Sequence, residues 1–313
     1  MSPNGPTFGI QVADDGMRWP ELLEIFKAAE DCGFESAWTP DHYVTTPDAV
    51  LPDPKSDLLD GWLVLGALAQ ATSRIRLGPL VTGNLFRHPA VLAKMGATLD
   101  HISGGRLEFG IGAGWFEFEH TALGLPFPRP GERLRRLEEA IQVVKALWTQ
   151  DEATFQGEFY TLNAAPAMPK PVQKPWPPIV IGAQGEKVAL RIVAQHADHW
   201  NTYTSVDRIG KKVQAFEAHC AAVGRDPGEV KRSLMIPAYL WETPEVNAKI
   251  QRWTQMVRTT PEQARLWFLM GDKREIQERI DGYVRHGIQL IIIQLDPPSQ
   301  GVETVREFAR RFM

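Results

Sequence analysis

Short apolar runs alternate along the chain with longer segments whose apolar positions recur every three or four residues. Phe8–Val12 reads as a first strand. In Trp19–Cys32, Leu22, Leu23, Phe26, Ala29 and Glu30 fall at helical spacing, and Gly33 is a natural stop. Ser36–Thr39 is a second strand ending at Pro40, followed by a loop rich in Pro and Asp over Asp41–Lys55. An apolar helix spans Leu58–Ala71, a strand Ile75–Thr82, and a helix Ala90–Ile102. A fourth strand, Arg106–Gly112, puts Leu107, Phe109 and Ile111 on one face. Four βα units thus fill the first third of the chain.

The second half keeps the rhythm. Strands are expected at Ile179–Ile181, His199–Asn201, Ser233–Leu240 and Gln289–Leu295, with helices at Glu186–Gln195, Ile209–Val223 and Val302–Phe312. Two or three further helices run from Pro244 to His286. Continuous apolar strands between helices indicate a parallel sheet covered on its outer face. Eight units over residues 1–313 fit a single (β/α)8 TIM barrel better than a doubly wound open sheet. An insertion over about 116–178 follows strand four. It contains a helix from Pro130 to Trp148, a hairpin at Thr154–Tyr160 and a proline-rich connector from Ala164 to Pro178. A loop of that length after a barrel strand sits on the strand C-terminal face, so it is expected to act as a lid.

Composition narrows the class. Hydrophobic residues make up 43% and charged residues 23%, and 34 basic against 38 acidic side chains leave a net charge of −4. That balance offers no basic face for nucleic acid. The two cysteines, Cys32 and Cys220, make neither a disulfide framework nor a thiolate metal site. No apolar stretch is long enough to cross a bilayer, and no signal peptide is read at Met1–Val12. A soluble, cytoplasmic protein acting on a small molecule is expected.

On a barrel, chemistry belongs at the C-terminal ends of strands. Asp41 and His42 stand just past strand two, where the imidazole can exchange a proton and the carboxylate can orient it or a ligand. The other reading is a loop histidine bonded to backbone. Gly110–Gly114 ends strand four, and Gly182-Ala183-Gln184-Gly185 ends strand five before a helix. The second turn offers free amides beside Lys187, a setting for phosphate or simply a tight turn. His196 and His199 have no carboxylate or thiolate nearby to complete a metal set and read as structural. Trp38 and Trp115 lie at strand ends, where an indole could wall a flat ring.

Several of these segments together resemble the luciferase-like flavin and deazaflavin barrel superfamily. The matching pieces are Gly33-Phe34-Glu35-Ser36-Ala37-Trp38 with Asp41-His42, Ile75-Arg76-Leu77-Gly78, Arg87-His88-Pro89 and Ser103 to Trp115. Arg133 to Trp148, Pro177 to Gly182 and Ala197 to Asn201 continue the match, which thins from Glu242 to Gly271. Within the superfamily the chain is most similar to coenzyme F420-dependent oxidoreductases, and FMN monooxygenases share much of the skeleton.

The resemblance implies hydride transfer between F420 and a small organic substrate, with an FMN-dependent monooxygenase fed by a flavin reductase as the alternative. A member that binds cofactor without catalysis is a third reading. Asp41 would lie beside the ring and His42 would be the proton donor. A bulge with a non-prolyl cis peptide would fall at Leu80-Val81, with Gly83 and Asn84 next along the wall and Gly114 at the strand-four turn. Gly182, Gln184, Gly185 and Lys187 would hold the cofactor phosphate. Sugar-phosphate dehydrogenases of the superfamily carry a Glu and an Asn where this chain has Trp115 and Phe118. These two, with Phe116, would instead form an apolar wall for a flat or hydrophobic ketone, alcohol or enone. Superfamily members pair through helices two and three, and Gly61–Ala69 is apolar on nearly every face, so a homodimer is expected.

Overall fold

The computed structural model describes residues 5–13, 16–45, 56–295 and 301–313. Most of the Pro- and Asp-rich loop, residues 46–55, therefore lies outside the described residues, as does the start of the N-terminal segment. The first half contains β1 (Thr7–Val12), α1 (Trp19–Asp31), β2 (Ser36–Thr39), α2 (Gly61–Ala71), β3 (Arg76–Pro79), β4 (Thr82–Gly83), α3 (Pro89–Ser103) and β5 (Phe109–Gly112). Next come α4 (Glu117–Ala122), α5 (Pro130–Thr149), β6 (Glu152–Gln156), β7 (Thr161–Pro166), β8 (Ile179–Gly182), α6 (Ala189–His196), β9 (His199–Thr202) and α7 (Ile209–Ala222). The chain ends with β10 (Lys231–Tyr239), α8 (Pro244–Val257), α9 (Pro261–Arg265), β11 (Leu269–Met270), α10 (Lys273–Arg285), β12 (Leu290–Leu295) and α11 (Val302–Phe312).

All barrel strands pair in parallel, in the order β3-β2-β1-β12-β10-β9-β8-β5-β4. β3 and β4 are two halves of one barrel strand, broken at Leu80-Val81. The lower half pairs with β2, the upper half pairs with β5, and a Leu77–Leu107 bridge completes the ring. The result is the expected (β/α)8 barrel. In β12 the run Leu290–Leu295 serves two cores at once. Ile291 and Ile293 pack outward under the helices, while Leu290 and Ile292 point into the barrel beside Trp38, Leu80 and Val180. That two-sided burial is why the strand reads as a continuous apolar run.

Two expectations are corrected here. The helix within residues 116–178 is no lid. α5 is the fourth barrel helix: its stripe of Leu137, Ile141, Val144 and Trp148 is buried, and Trp148 Nε1 donates to the Ala93 carbonyl of α3 at 2.9 Å. On its other side Arg191 of α6 pairs with Glu138 at 2.9 Å. An apolar stripe of that width requires a wall to cover, and the gap between α3 and α6 supplies it. Of this segment, residues between Phe116 and His120 and the first turn of α5 line the cavity at the strand ends.

Nor does Trp38 line the site, against the expectation from the sequence. It is fully buried inside the barrel, donates to Ser36 Oγ at 2.9 Å and meets His199 edge-on. It fills the core and walls no ligand. The proline-rich connector runs at the opposite end of the barrel from the site, where Gln173 bonds Asp100 at 2.7 Å, the Leu107 carbonyl at 2.8 Å and Arg76 at 3.0 Å. α4 and the two-residue β11 were not foreseen, and the hairpin is longer than expected, with its turn closed by Gly157 N donating to the Tyr160 carbonyl. Among the described residues no helix is long and apolar enough to cross a membrane.

Candidate active site

A cavity of about 620 Å³ opens at the C-terminal ends of the barrel strands, a size ordinary for a small-molecule site. Asp41 and His42 enter it directly from the end of β2. Asp41 is almost fully buried and ion-paired through Oδ2 to Arg87 Nη1 at 2.7 Å, with Thr82 Oγ1 donating to the same oxygen. Arg87 also reaches Asp60 at 3.3 Å. Asp41 Oδ1 has no partner among the described residues.

His42 is fixed by a residue that the sequence did not single out. Glu119, in α4, has no exposed surface. It accepts from His42 Nδ1 at 3.0 Å, from the Val44 amide at 3.2 Å and from the Tyr43 amide. Burial pushes the Glu119 carboxyl up, but the His42 bond and charge and the two amides outweigh it and hold the group below its ordinary value. An ionised carboxylate only accepts, so Nδ1 carries a proton and Nε2 is left to face the cavity. Glu119 escaped notice because a buried glutamate in Trp-Phe-Glu-Phe-Glu-His looks like any surface glutamate.

Opposite lies the floor. The Leu80-Val81 peptide is cis, at the expected position. The Leu80 carbonyl accepts from Gln11 Nε2 at 2.9 Å, so the break in the strand keeps its polar atoms satisfied. Val81 reaches across to β5 and β8, where a Cβ on Gly112 would stand 2.7 Å from its methyl and one on Gly182 3.1 Å. Glycine at both positions lets the floor close. Gly83 lines the same cavity, as does Gly114, which turns with φ of +77°. Asn84 is buried behind the lining: its amide nitrogen lies 3.4 Å from Tyr160 Oη and its Oδ1 is unpaired.

At the β8 end, Gly182, Gln184 and Gly185 line the cavity, but Lys187 is exposed and outside the lining. α6 begins at Ala189 rather than at Glu186, because Leu190 bonds back to Gly185, five residues away, in a wide turn before the regular helix. Gly185 has no left-handed φ, and a Cβ there would meet only Ala189 at 3.6 Å, so backbone strain gives no reason for a glycine at this position. On the far wall Trp115 stacks on buried Phe116 at 5.2 Å, and both rings meet His42 edge-on at 5.8 and 6.3 Å. Phe118 packs on Phe116 at 5.8 Å but is half exposed and outside the lining. His199 is buried in the core, but a carboxylate does lie nearby, against expectation: its Nδ1 is 3.0 Å from buried Glu108, and among the described residues no three such groups gather to hold a metal.

The cavity is therefore a cleft between an apolar floor and an aromatic wall, with a poised imidazole at one end. Two buried oxygens of lining residues, Asp41 Oδ1 and Thr202 Oγ1, lack partners among the described residues. A flat heterocycle with N–H and O–H groups on its edge fits that donor and acceptor set.

The chain belongs to the luciferase-like monooxygenase family, whose profile matches residues 5–290. It is 28% identical over 306 residues, 90% of this chain and 88% of the relative, to an F420-dependent glucose-6-phosphate dehydrogenase of Kineococcus radiotolerans. It is 31% identical over 259 residues, 72% of this chain and 70% of the relative, to an FMNH(2)-dependent dimethylsulfone monooxygenase of Pseudomonas putida. An F420-dependent secondary alcohol dehydrogenase in complex with an F420–acetone adduct superposes with a TM-score of 0.82 over 98% of both chains, at 20% identity. That last likeness concerns the fold.

Proposed function

We propose that the protein is an F420-dependent oxidoreductase that moves a hydride between the deazaflavin and a flat or hydrophobic ketone, alcohol or enone. The observation that carries this reading is His42, whose Nδ1 is tied to Glu119 so that Nε2 faces a flat cleft. Leu80 and Val81 would support the ring from behind, Asp41 Oδ1 would accept from its edge, and the turn at Gln184 and Gly185 would take its phosphate end. Bound there, the deazaflavin supplies two electrons as a hydride and reacts scarcely at all with oxygen. The chain's own residues do the rest: the aromatic wall stacks substrate against the ring and excludes water, and His42 gives or takes the proton at the substrate oxygen. Trp115 in place of a polar residue favours an apolar substrate over a sugar phosphate.

Fluorescence titration of the purified protein tests the cofactor assignment, with tighter binding expected for F420 than for FMN. Comparable or tighter FMN affinity would overturn it and favour a monooxygenase, the activity of the Pseudomonas relative.

The same reading includes a homodimer through α2 and α3. Leu63 is 77% exposed on α2 and Val91 50% exposed on α3, two neighbouring helices of the barrel wall, which leaves large apolar side chains in water. Light scattering at micromolar concentration should give twice the chain mass, and Leu63→Asp should halve it. A monomeric wild type would refute this assembly.

A further inference from the structure

Charge inside the cavity is unevenly compensated. Of the two carboxylates that line it among the described residues, Asp41 is paired with Arg87, and Glu119 is held by His42 and two amides. Arg133, in the first turn of α5, lines the same cavity and has no carboxylate within ion-pair distance among the described residues. Its guanidinium is held in place: Nη1 donates to the Pro128 carbonyl at 2.8 Å, and the Phe127 ring lies 4.0 Å from its central carbon. Nε is buried and has no hydrogen-bond partner among the described residues. Burial lowers its pKa and the exposed Glu117 acts against that from a distance, so the group stays cationic.

A fixed, planar cation with unused donors at a cavity wall is a receptor for an oxyanion, because its fork matches phosphate and carboxylate geometry. α5 runs beside α6, as the Arg191–Glu138 pair shows, and the turn before α6 reaches the same cavity through Gln184 and Gly185. Lys187, the cation first expected there, is turned to solvent. Resting on the cofactor reading above, we propose that Arg133 is the anion receptor of the cavity and, with the Gln184–Gly185 turn, holds the phosphodiester of the bound deazaflavin.

The test compares two probes, F420 and its tail-less chromophore, which keeps the ring and sugar alcohol but lacks the phosphodiester. Fluorescence titration should show Arg133→Gln weakening F420 by ~10- to 100-fold while the chromophore stays within about two-fold, as loss of one charge-assisted contact implies. Arg133→Lys, which keeps the charge without the fork, should lose less. If Arg133→Gln fails to fold, judged by thermal melting, a loss in Arg133→Lys confined to F420 supports the proposal equally. Equal losses for both probes would mean that Arg133 only shapes the cavity, and no loss for either would mean the anion lies elsewhere; each overturns the proposal. A wild type that prefers FMN defeats the cofactor reading instead. FMN and riboflavin then replace the two probes, and a loss confined to FMN keeps Arg133 as the receptor whereas equal losses remove it.

Discussion

Replacing His42 by alanine is expected to lower turnover by ~10²- to 10⁴-fold, the range for removing a positioned proton donor. Cofactor affinity should change little, because the floor at Leu80-Val81 and the Gln184–Gly185 turn are untouched. Glu119→Gln should act through His42: it keeps a hydrogen-bonding group but removes the charge that fixes the imidazole tautomer. Its turnover should fall less than that of His42→Ala, and its pH–rate profile should shift, which a merely structural role would not produce. Steady-state kinetics with saturating cofactor decide the first outcome, and an active His42→Ala variant would reduce His42 to a loop residue.

Glu108→Ala is expected to cost ~3–5 kcal/mol of stability, as breaking a buried ion pair from one side does. Glu108 is buried between Arg76 at 2.8 Å and His199 at 3.0 Å. Burial raises its pKa, but the bond and charge of His199, then Lys231 and Arg76, lower it from 4.5 to about 2. A depressed carboxyl adds stability that is present above its unfolded value near 4.5 and is lost as pH falls toward about 2. Urea denaturation should therefore show the gap between wild type and Glu108→Ala at neutral pH and its narrowing below pH 4.5. A gap that stays constant through that window would mean the carboxylate's charge contributes nothing.

Much of the barrel was legible because each wall strand and helix carries its own period. Ser36–Thr39 and Val302–Phe312 match their expected bounds, since Pro40 and the amphipathic stripe leave no competing register. The role of α5 is not legible in its own segment, because a helical stripe states that one face is buried, but not against which neighbours. Local pattern placed Asp41, His42 and the glycine turns correctly at strand ends. It could not reveal Glu119, whose buried contacts join segments far apart in sequence, or Arg133, whose partners Phe127 and Pro128 are local but whose place at the cavity wall follows only from closure of the barrel. Lys187 failed in the opposite way, being adjacent in sequence to the turn but directed outward by the late start of α6.

Anaerobic oxidation of reduced F420 by a panel of flat and hydrophobic ketones and enones is the decisive test of hydride transfer without oxygen. Recovery of the oxidised deazaflavin absorbance, dependent on protein and lost in His42→Ala, is the predicted result. No turnover with any ketone, enone or, in reverse, alcohol, together with oxygen-dependent turnover on reduced FMN, would contradict it.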